Sequence, residues 1–353
     1  MKFIHISDLH LGIEPEKGRP WAAARKNEIW KTFDRIIDEC NNREIDLLLI
    51  SGDLFNKQPG VKDLKTVNES FEKLKKTKVV MVAGANDYMS PRSHYRNFKW
   101  NGNVTMFSTG ELSEAYFYGC GVTVYGISPD SNDTDPVSRI DPVPKKSAGA
   151  HILLCHTMNL SGTDFDKLDR AGFEYVALGG EHQARKVTDR VVFSGSPEPL
   201  NREETGDHGF ILGELVQSGE KYSLQTSLIP VARRSYVDLH IRISADDTNS
   251  AIKELVTSEI LSRGPENLYR VFVDGLRDPE FTLDKQAIMS IGVITDVIDG
   301  TVLDYNYDEL MTENSANLIG AYINAIKDSD APESVKNRAL YYGVEALLKA
   351  GGK

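Results

Sequence analysis

Lys2-Phe3-Ile4-His5-Ile6-Ser7-Asp8-Leu9-His10 is a short apolar strand running directly into a carboxylate and an imidazole two residues apart. The same design returns along the chain. Residues 46–51 (Asp-Leu-Leu-Leu-Ile-Ser) lead into Gly52-Asp53-Leu54-Phe55-Asn56, 152–155 into His156, and 176–178 into Gly179-Gly180-Glu181-His182. A continuous apolar strand is one covered on both faces. Between these strands lies helical spacing: Ile29, Phe33, Ile36 and Ile37 within 25–41, then Leu64, Val67, Phe71 and Leu74 within 62–76. Apolar strands with crossover helices predict an α/β layered fold. Further strands are expected at 79–82, 122–126, 190–193 and 209–215, the later ones hairpin-like, so part of the sheet should be mixed.

The pattern changes near 229–234. Strand 236–243, helix 249–261, strand 268–273, helix 284–289 and strand 293–299 follow as a compact α+β unit, and 308–327 and 332–349 read as two helices. The expected organisation is a first domain over 1–231, a small α+β domain over 232–300 and a helical segment over 301–353. One loop-like stretch, 128–147, holds four Asp and four Pro.

Every carboxylate–imidazole segment sits at the carboxyl end of a strand, where sites form in open α/β sheets, so the segments can converge. Carboxylate with imidazole suits Mn, Fe or Zn rather than calcium. A carboxylate able to bridge two ions, ringed by histidines, is the layout for two-metal hydrolysis, in which ions roughly 3.5–4 Å apart activate water and clamp phosphoryl oxygens. Each segment alone reads equally as a capping Asp, a turn or a satisfied core histidine. It is the ordered set that points to a metal centre.

Asp8-x-His10, Gly52-Asp53, Gly84-x-x-Asp87, His156 and Gly179-x-x-His182, in that order, resemble the calcineurin-like metallophosphoesterase superfamily. Ile6-Ser7-Asp8-Leu9-His10-Leu11-Gly12, Gly52-Asp53-Leu54-Phe55, Phe193-Ser194-Gly195-Ser196-Pro197-Glu198-Pro199-Leu200 and Glu204-Thr205-Gly206 resemble its SbcD-type DNA repair exonuclease branch. The resemblance covers about residues 1–231 at motif level. It implies a four-layered β-sandwich flanked by helices, with a small α+β cap domain and C-terminal helices, and a two-manganese site. Asp8, His10, Asp53 and His182 match the ligands of the first metal. Asp53 would also bridge to a second, of which His156 is a ligand. The implied activity is hydrolysis of DNA phosphodiesters by metal-activated water, with DNA and an SbcC-like ABC ATPase as partners and a homodimer as the assembly.

The departures are concentrated. The family's Gly-Asn-His-Asp stands here as Gly84-Ala85-Asn86-Asp87, and its Gly-His-x-His as Gly179-Gly180-Glu181-His182. Ala85 replaces an amide ligand of the second metal, Asn86 the catalytic histidine, and Gly180 an imidazole ligand. Neither Ala nor Gly has a side-chain electron pair to give. Asn86 is no general acid near neutral pH, a role usually contributing about 10²–10⁴-fold. The catalytic positions, Asn86 and Asp87, and the second metal site are therefore expected to be impaired, with one metal held well. Glu181 or Asn86 could compensate by turning inward. Restoring Asn at 85 and His at 86 and 180 should raise activity. Two other readings stand beside this one: a non-catalytic DNA- or ATPase-binding scaffold on a degenerate fold, and a phosphodiesterase for smaller substrates.

Composition bounds these readings. The net charge of −11 excludes coating nucleic acid by bulk charge. The balance is uneven, about +4 over the first hundred residues, −8 over 101–231 and −7 beyond, so a local basic surface around Lys57, Lys62 and Lys65 stays open, against the plainer reading of solvated helix positions. Trp21, Trp30 and Trp100 could stack on bases or anchor the core. Arg233 and Arg234 could touch DNA or pair with the acidic C-terminal portion. No apolar run reaches the ~18 residues a membrane span needs. Three scattered cysteines make neither a disulfide frame nor a thiolate zinc cage. With no secretory pattern at the start, a reducing cytoplasm is the expected compartment.

Overall fold

The computed structural model describes all residues except 132–135, 141–148, 158, 220 and 352–353, so much of the Asp- and Pro-rich 128–147 stretch lies outside the described residues. The chain divides into two compact units, Met1–Val237 with Glu266–Leu268, and Asp238–Pro265 with Tyr269–Lys353.

In the first unit, β1 (Lys2–Ile6), β2 (Leu47–Ser51), β3 (Lys78–Val82) and β4 (Val104–Phe107) are successive parallel neighbours. β5 (Ser113–Phe117), β6 (Val122–Ile127), β7 (Ala150–His156), β8 (Tyr175–Gly179), β9 (Arg185–Lys186) and β10 (Val191–Phe193) build a second sheet, in the order β5-β6-β7-β8-β10-β9. The hairpin of β11 (Gly209–Ser218) and β12 (Lys221–Pro230) returns to the first sheet and pairs antiparallel with β1, giving the order β12-β11-β1-β2-β3-β4. Both sheets are mixed, as the sequence predicts. The strands not foreseen, β4, β5, β9 and β12, are short, at the sheet margins, or both.

Three layers of apolar side chains separate four layers of structure. Helices α1 (Ala22–Asn42) and α2 (Val61–Glu72) cover the outer face of the first sheet, burying Ile29, Phe33, Ile36 and Ile37 against Ile4, Ile6, Leu48 and Ile50. Between the sheets, Phe3, Leu47, Leu49 and Val80 meet Val124, Ile152, Leu154 and Ala177. Helix α3 (Gly162–Arg170) packs Leu168 onto the outer face of the second sheet, against Leu153, Cys155 and Val176. The alternation along β1, β2 and β7 thus feeds two cores at once, which is why these strands read as unbroken apolar runs. This is the helix–sheet–sheet–helix sandwich expected from the motifs.

An ion network ties α1 to the loop after β10. Arg25, fully buried, donates to Glu28 at 2.9 Å, to Glu198 at 3.2 Å and to the Pro199 carbonyl at 2.7 Å. Arg234 forms its ion pair with Glu28 at 2.8 Å and also donates to the Glu266 carbonyl, so its charge is met by the first helix while its other nitrogen reaches the later part of the chain. Trp30 and Trp100 pack on the outer core.

β13 (Tyr236–Ile243), β14 (Leu268–Arg277) and β15 (Ile294–Leu303) form a three-stranded sheet that belongs to the second unit except for Tyr236, Val237 and Leu268. Helices α4 (Asn249–Arg263) and α5 (Lys285–Met289) accompany it. The expected single helix over 308–327 is two, α6 (Tyr307–Glu313) and α7 (Leu318–Lys327), followed by α8 (Glu333–Gly351). Asn317 makes the break: its side-chain oxygen accepts from the amides of Ile319 and Gly320, capping a new helix in place of continuing the old one. Ile323, Leu340 and Val344 are the buried centre of this helical part. Among the described residues no helix is long and apolar enough to cross a membrane.

Phe33 is fully buried and meets Phe71 edge-on at 5.9 Å. Phe33→Ala should cost about 3–5 kcal/mol in urea unfolding of the first unit, whereas Lys31→Ala on the exposed side of the same helix should stay within about 0.5 kcal/mol.

Candidate metal centre

The turns after β1 and β2 run side by side. The amides of Asp8, His10 and Leu11 donate to the carbonyls of Gly52, Asp53 and Leu54 at 3.1, 3.0 and 2.9 Å. To turn that tightly, Asp8, His10 and Asp53 take left-handed backbone angles, with φ of 52°, 48° and 47°. Asp and His tolerate this region better than most residues, yet each such residue costs on the order of 1 kcal/mol or more. The strain falls on the residues that carry the candidate donors. Gly84 is required by contact: a Cβ there would stand 2.2 Å from the Asp53 amide nitrogen and carboxylate.

Asp8, His10, Asp53, His156 and His182 are brought together. Donor atoms of Asp8, His10 and His182 lie within 4.8 Å of one another, as do those of Asp8, Asp53 and His156. The resemblance makes Asp53 the shared carboxylate. In the structure both carboxylates face both halves: Asp8 belongs to each close group, while Asp53 Oδ2 is 3.7 Å from His10 Nε2 and 3.6 Å from His156 Nε2.

The ring orientations are set from outside. His156 Nδ1 donates to the Ser51 carbonyl at 3.0 Å, which leaves the Nε2 lone pair facing Asp53. His182 Nδ1 bonds Glu204 at 2.7 Å, leaving Nε2 toward His10 Nε2 at 3.2 Å. Glu204 is itself held by the Leu200 amide at 2.7 Å and by Asn201. Burial disfavours charge on His156, but Asp53 and Asp8 outweigh it and its pKa rises; His182 rises likewise because of Glu204 and Asp8. In His10 burial wins and the pKa falls.

A divalent cation fits this donor set. Asp8 Oδ1 and His10 Nδ1 are buried and have no hydrogen-bond partner within the protein. Asp8 Oδ2, by contrast, accepts from the Gly180 amide at 3.0 Å. A buried carboxylate oxygen with no protein donor, in a residue grouped with three imidazoles and a second carboxylate, is a donor set that a cation would complete.

The third motif, and Gly180 and Glu181 of the fifth, behave differently. Asp87 is fully buried and accepts from the amides of Gly84 and Phe55 at 2.7 and 3.0 Å and from the Tyr95 hydroxyl at 2.8 Å. Burial, with Asp53 nearby, pushes its pKa up to about 6. It clamps the 84–87 turn to the 52–55 turn. Asn86 lies on the rim with its amide turned inward: Nδ2 is 2.6 Å from Asp53 Oδ2, and its backbone amide is 2.7 Å from Oδ1. Glu181 does not turn inward; it pairs with Arg185, Nε donating at 2.8 Å. Gly180 cannot simply be returned to histidine. Its φ is 106°, and a Cβ would stand 1.8 Å from the Thr157 carbonyl oxygen. The threefold restoration expected from sequence is therefore blocked at one position by backbone.

Glu204 and Ser51 orient two of these imidazoles, and sequence reading gives neither of them a role. Glu204-Thr205-Gly206 marks the first, but nothing in spacing joins it to His182, 22 residues away. Removing an outer-shell carboxylate usually costs about 10–100-fold in metal affinity. Glu204→Gln should weaken Mn²⁺ binding by that factor in calorimetric titration, with thermal unfolding of the metal-free protein little changed.

The calcineurin-like phosphoesterase family matches residues 1–194. The uncharacterized metallophosphoesterase YhaO of Bacillus subtilis is 24% identical over 319 residues, covering 81% of this chain and 76% of that protein. The DNA double-strand break repair protein Mre11 of Sulfurisphaera tokodaii is 25% identical over 311 residues, covering 81% and 76%. The protein of the same name from Methanococcus maripaludis is 26% identical over 312 residues, covering 78% and 80%. With its strand-end carboxylates and histidines gathered in a two-sheet sandwich, the chain belongs to the calcineurin-like phosphoesterase family.

Proposed function

We propose that this chain is an SbcD-like DNA repair phosphodiesterase subunit, slow in its present form, that uses manganese to hydrolyse DNA phosphodiesters. In this reading it is an exonuclease-type homodimer of the cytoplasm, partnered by an SbcC-like ABC ATPase. The observation that carries the chemistry is the convergence of Asp8, His10, Asp53, His156 and His182, with Asp8 Oδ1 left unpartnered. The DNA part is supported by relatives named as double-strand break repair proteins over three quarters or more of this chain.

A divalent ion bound there would supply Lewis-acid activation of water and charge for the phosphoryl oxygens. The residues do the rest. Asp8, His10 and His182 would hold the ion, with Asp53 beside them, and Glu204 keeps His182 in one tautomer. Impairment is supported by what is absent from the side chains: Ala85 has no donor, Gly180 has none, and no imidazole stands at 86 to protonate the leaving oxygen. The closed backbone at Gly180 favours a second reading, a scaffold that binds DNA or the ATPase without cutting.

Cleavage separates these readings. With Mn²⁺, the natural chain should degrade linear duplex DNA slowly, and Asp8→Asn should abolish the activity. The double variant Ala85→Asn/Asn86→His should cut about a hundredfold faster. No gain, with DNA still bound, would favour the scaffold. Faster turnover of bis(p-nitrophenyl) phosphate than of DNA by both forms would point to a smaller substrate.

A further inference from the structure

The second half of the centre gathers three side chains, Asp53, His156 and Asn86. Asp53 Oδ2 lies 3.6 Å from His156 Nε2 and 2.6 Å from the Asn86 side-chain amide. His156 has its other nitrogen committed to the Ser51 carbonyl, so the nitrogen facing Asp53 carries the lone pair. Asn86 is held twice by the same carboxylate, since its backbone amide donates to Asp53 Oδ1 at 2.7 Å. Ala85, one residue earlier, offers nothing, and at Gly180 the Thr157 carbonyl fills the space where a side chain would begin.

We propose that Asn86 is the amide ligand of a second ion position formed by Asp53, His156 and Asn86, taking over the role for which Ala85 has no donor. The proposal rests on the metal-centre reading above. Asn86 is poised for it. A half-turn of the side-chain amide exchanges Nδ2 for Oδ1 and leaves the rest of the residue in place, so the group that donates to Asp53 becomes an oxygen beside it. Carboxylate oxygen, amide oxygen and imidazole nitrogen form a donor set for Mn²⁺ or a similar borderline ion. With three protein donors this position is the weaker of the two. The centre has been rebuilt one residue along the turn, at the cost of the position from which an imidazole would deliver a proton.

A purely structural Asn86, bonded to Asp53 and nothing more, makes the opposite forecast for a carboxylate at 86. It would set two anions in contact and gain no ion. The test uses Mn²⁺ alone with the full chain, followed by equilibrium dialysis and by the electron paramagnetic resonance of bound Mn²⁺. The natural chain should bind in two steps, the second weaker, with a spin-coupled signal when both are filled. Asn86→Ala should keep the first step and weaken the second at least about tenfold, losing the coupled signal. Asn86→Asp should bind the second ion more tightly than the natural chain, and it decides the matter alone if the alanine variant fails to fold. Two undiminished steps in Asn86→Ala, a single step in the natural chain, or no tightening in Asn86→Asp would overturn the proposal. Absence of any tight step in the natural chain would instead overturn the metal reading on which it rests.

Discussion

Two carboxylates buried side by side govern the first unit. Asp8 is fully buried and Asp53 nearly so, each just beyond a strand end. Taking an ionised carboxylate out of water costs several kcal/mol unless donors replace the water. The chain supplies them from three directions: the Gly180 amide to Asp8, the Asn86 backbone and side-chain amides to Asp53, and the imidazoles of His10 and His156 within 3.6–3.7 Å of Asp53. One oxygen, Asp8 Oδ1, is left over. The sandwich places five turns so that this partial compensation is available, and the remainder is an opening for a cation.

The supports around the pair follow from that cost. Left-handed turns at Asp8, His10 and Asp53 are tolerable because parallel backbone bonds between the 8–11 and 52–54 segments hold them. Asp87 fastens a third turn to the second, and Glu204 fixes His182, which is more open to solvent than His10 or His156. Glu204 in turn belongs to a loop tied to α1 through Glu198 and the buried Arg25. A chain of polar contacts therefore runs from the first helix, along the 198–204 loop, to the ring of His182 without passing through the strands.

Much of this is readable in sequence. Asp8, His10, Asp53, His156 and His182 announce themselves because each follows an apolar run, and strand ends meet at one edge of a sandwich. The buried faces of α1 and α2 are equally plain from their spacing. What cannot be read is direction within a turn. That the Asn86 amide points at Asp53, while Glu181 points at Arg185, depends on backbone angles that adjacent residue types do not specify. The partnership of Glu204 with His182 joins two loops whose approach is set by the fold. The division between α6 and α7 is a local contest, in which the capping strength of Asn317 outweighs helical periodicity on either side.

The Thr157 carbonyl beside Gly180 has a consequence for how this protein can change. A lost ligand is ordinarily recoverable by one codon substitution, because its site persists as an empty seat. Here the seat is occupied by main chain, and glycine's left-handed angle has been adopted as part of the turn. The substitution works as a ratchet: histidine at 180 becomes admissible only after the 156–157 and 179–180 segments have moved apart, and no selection for the ligand can act until they have. Change at the centre is less confined at Asn86 in the 84–87 turn, which is exposed.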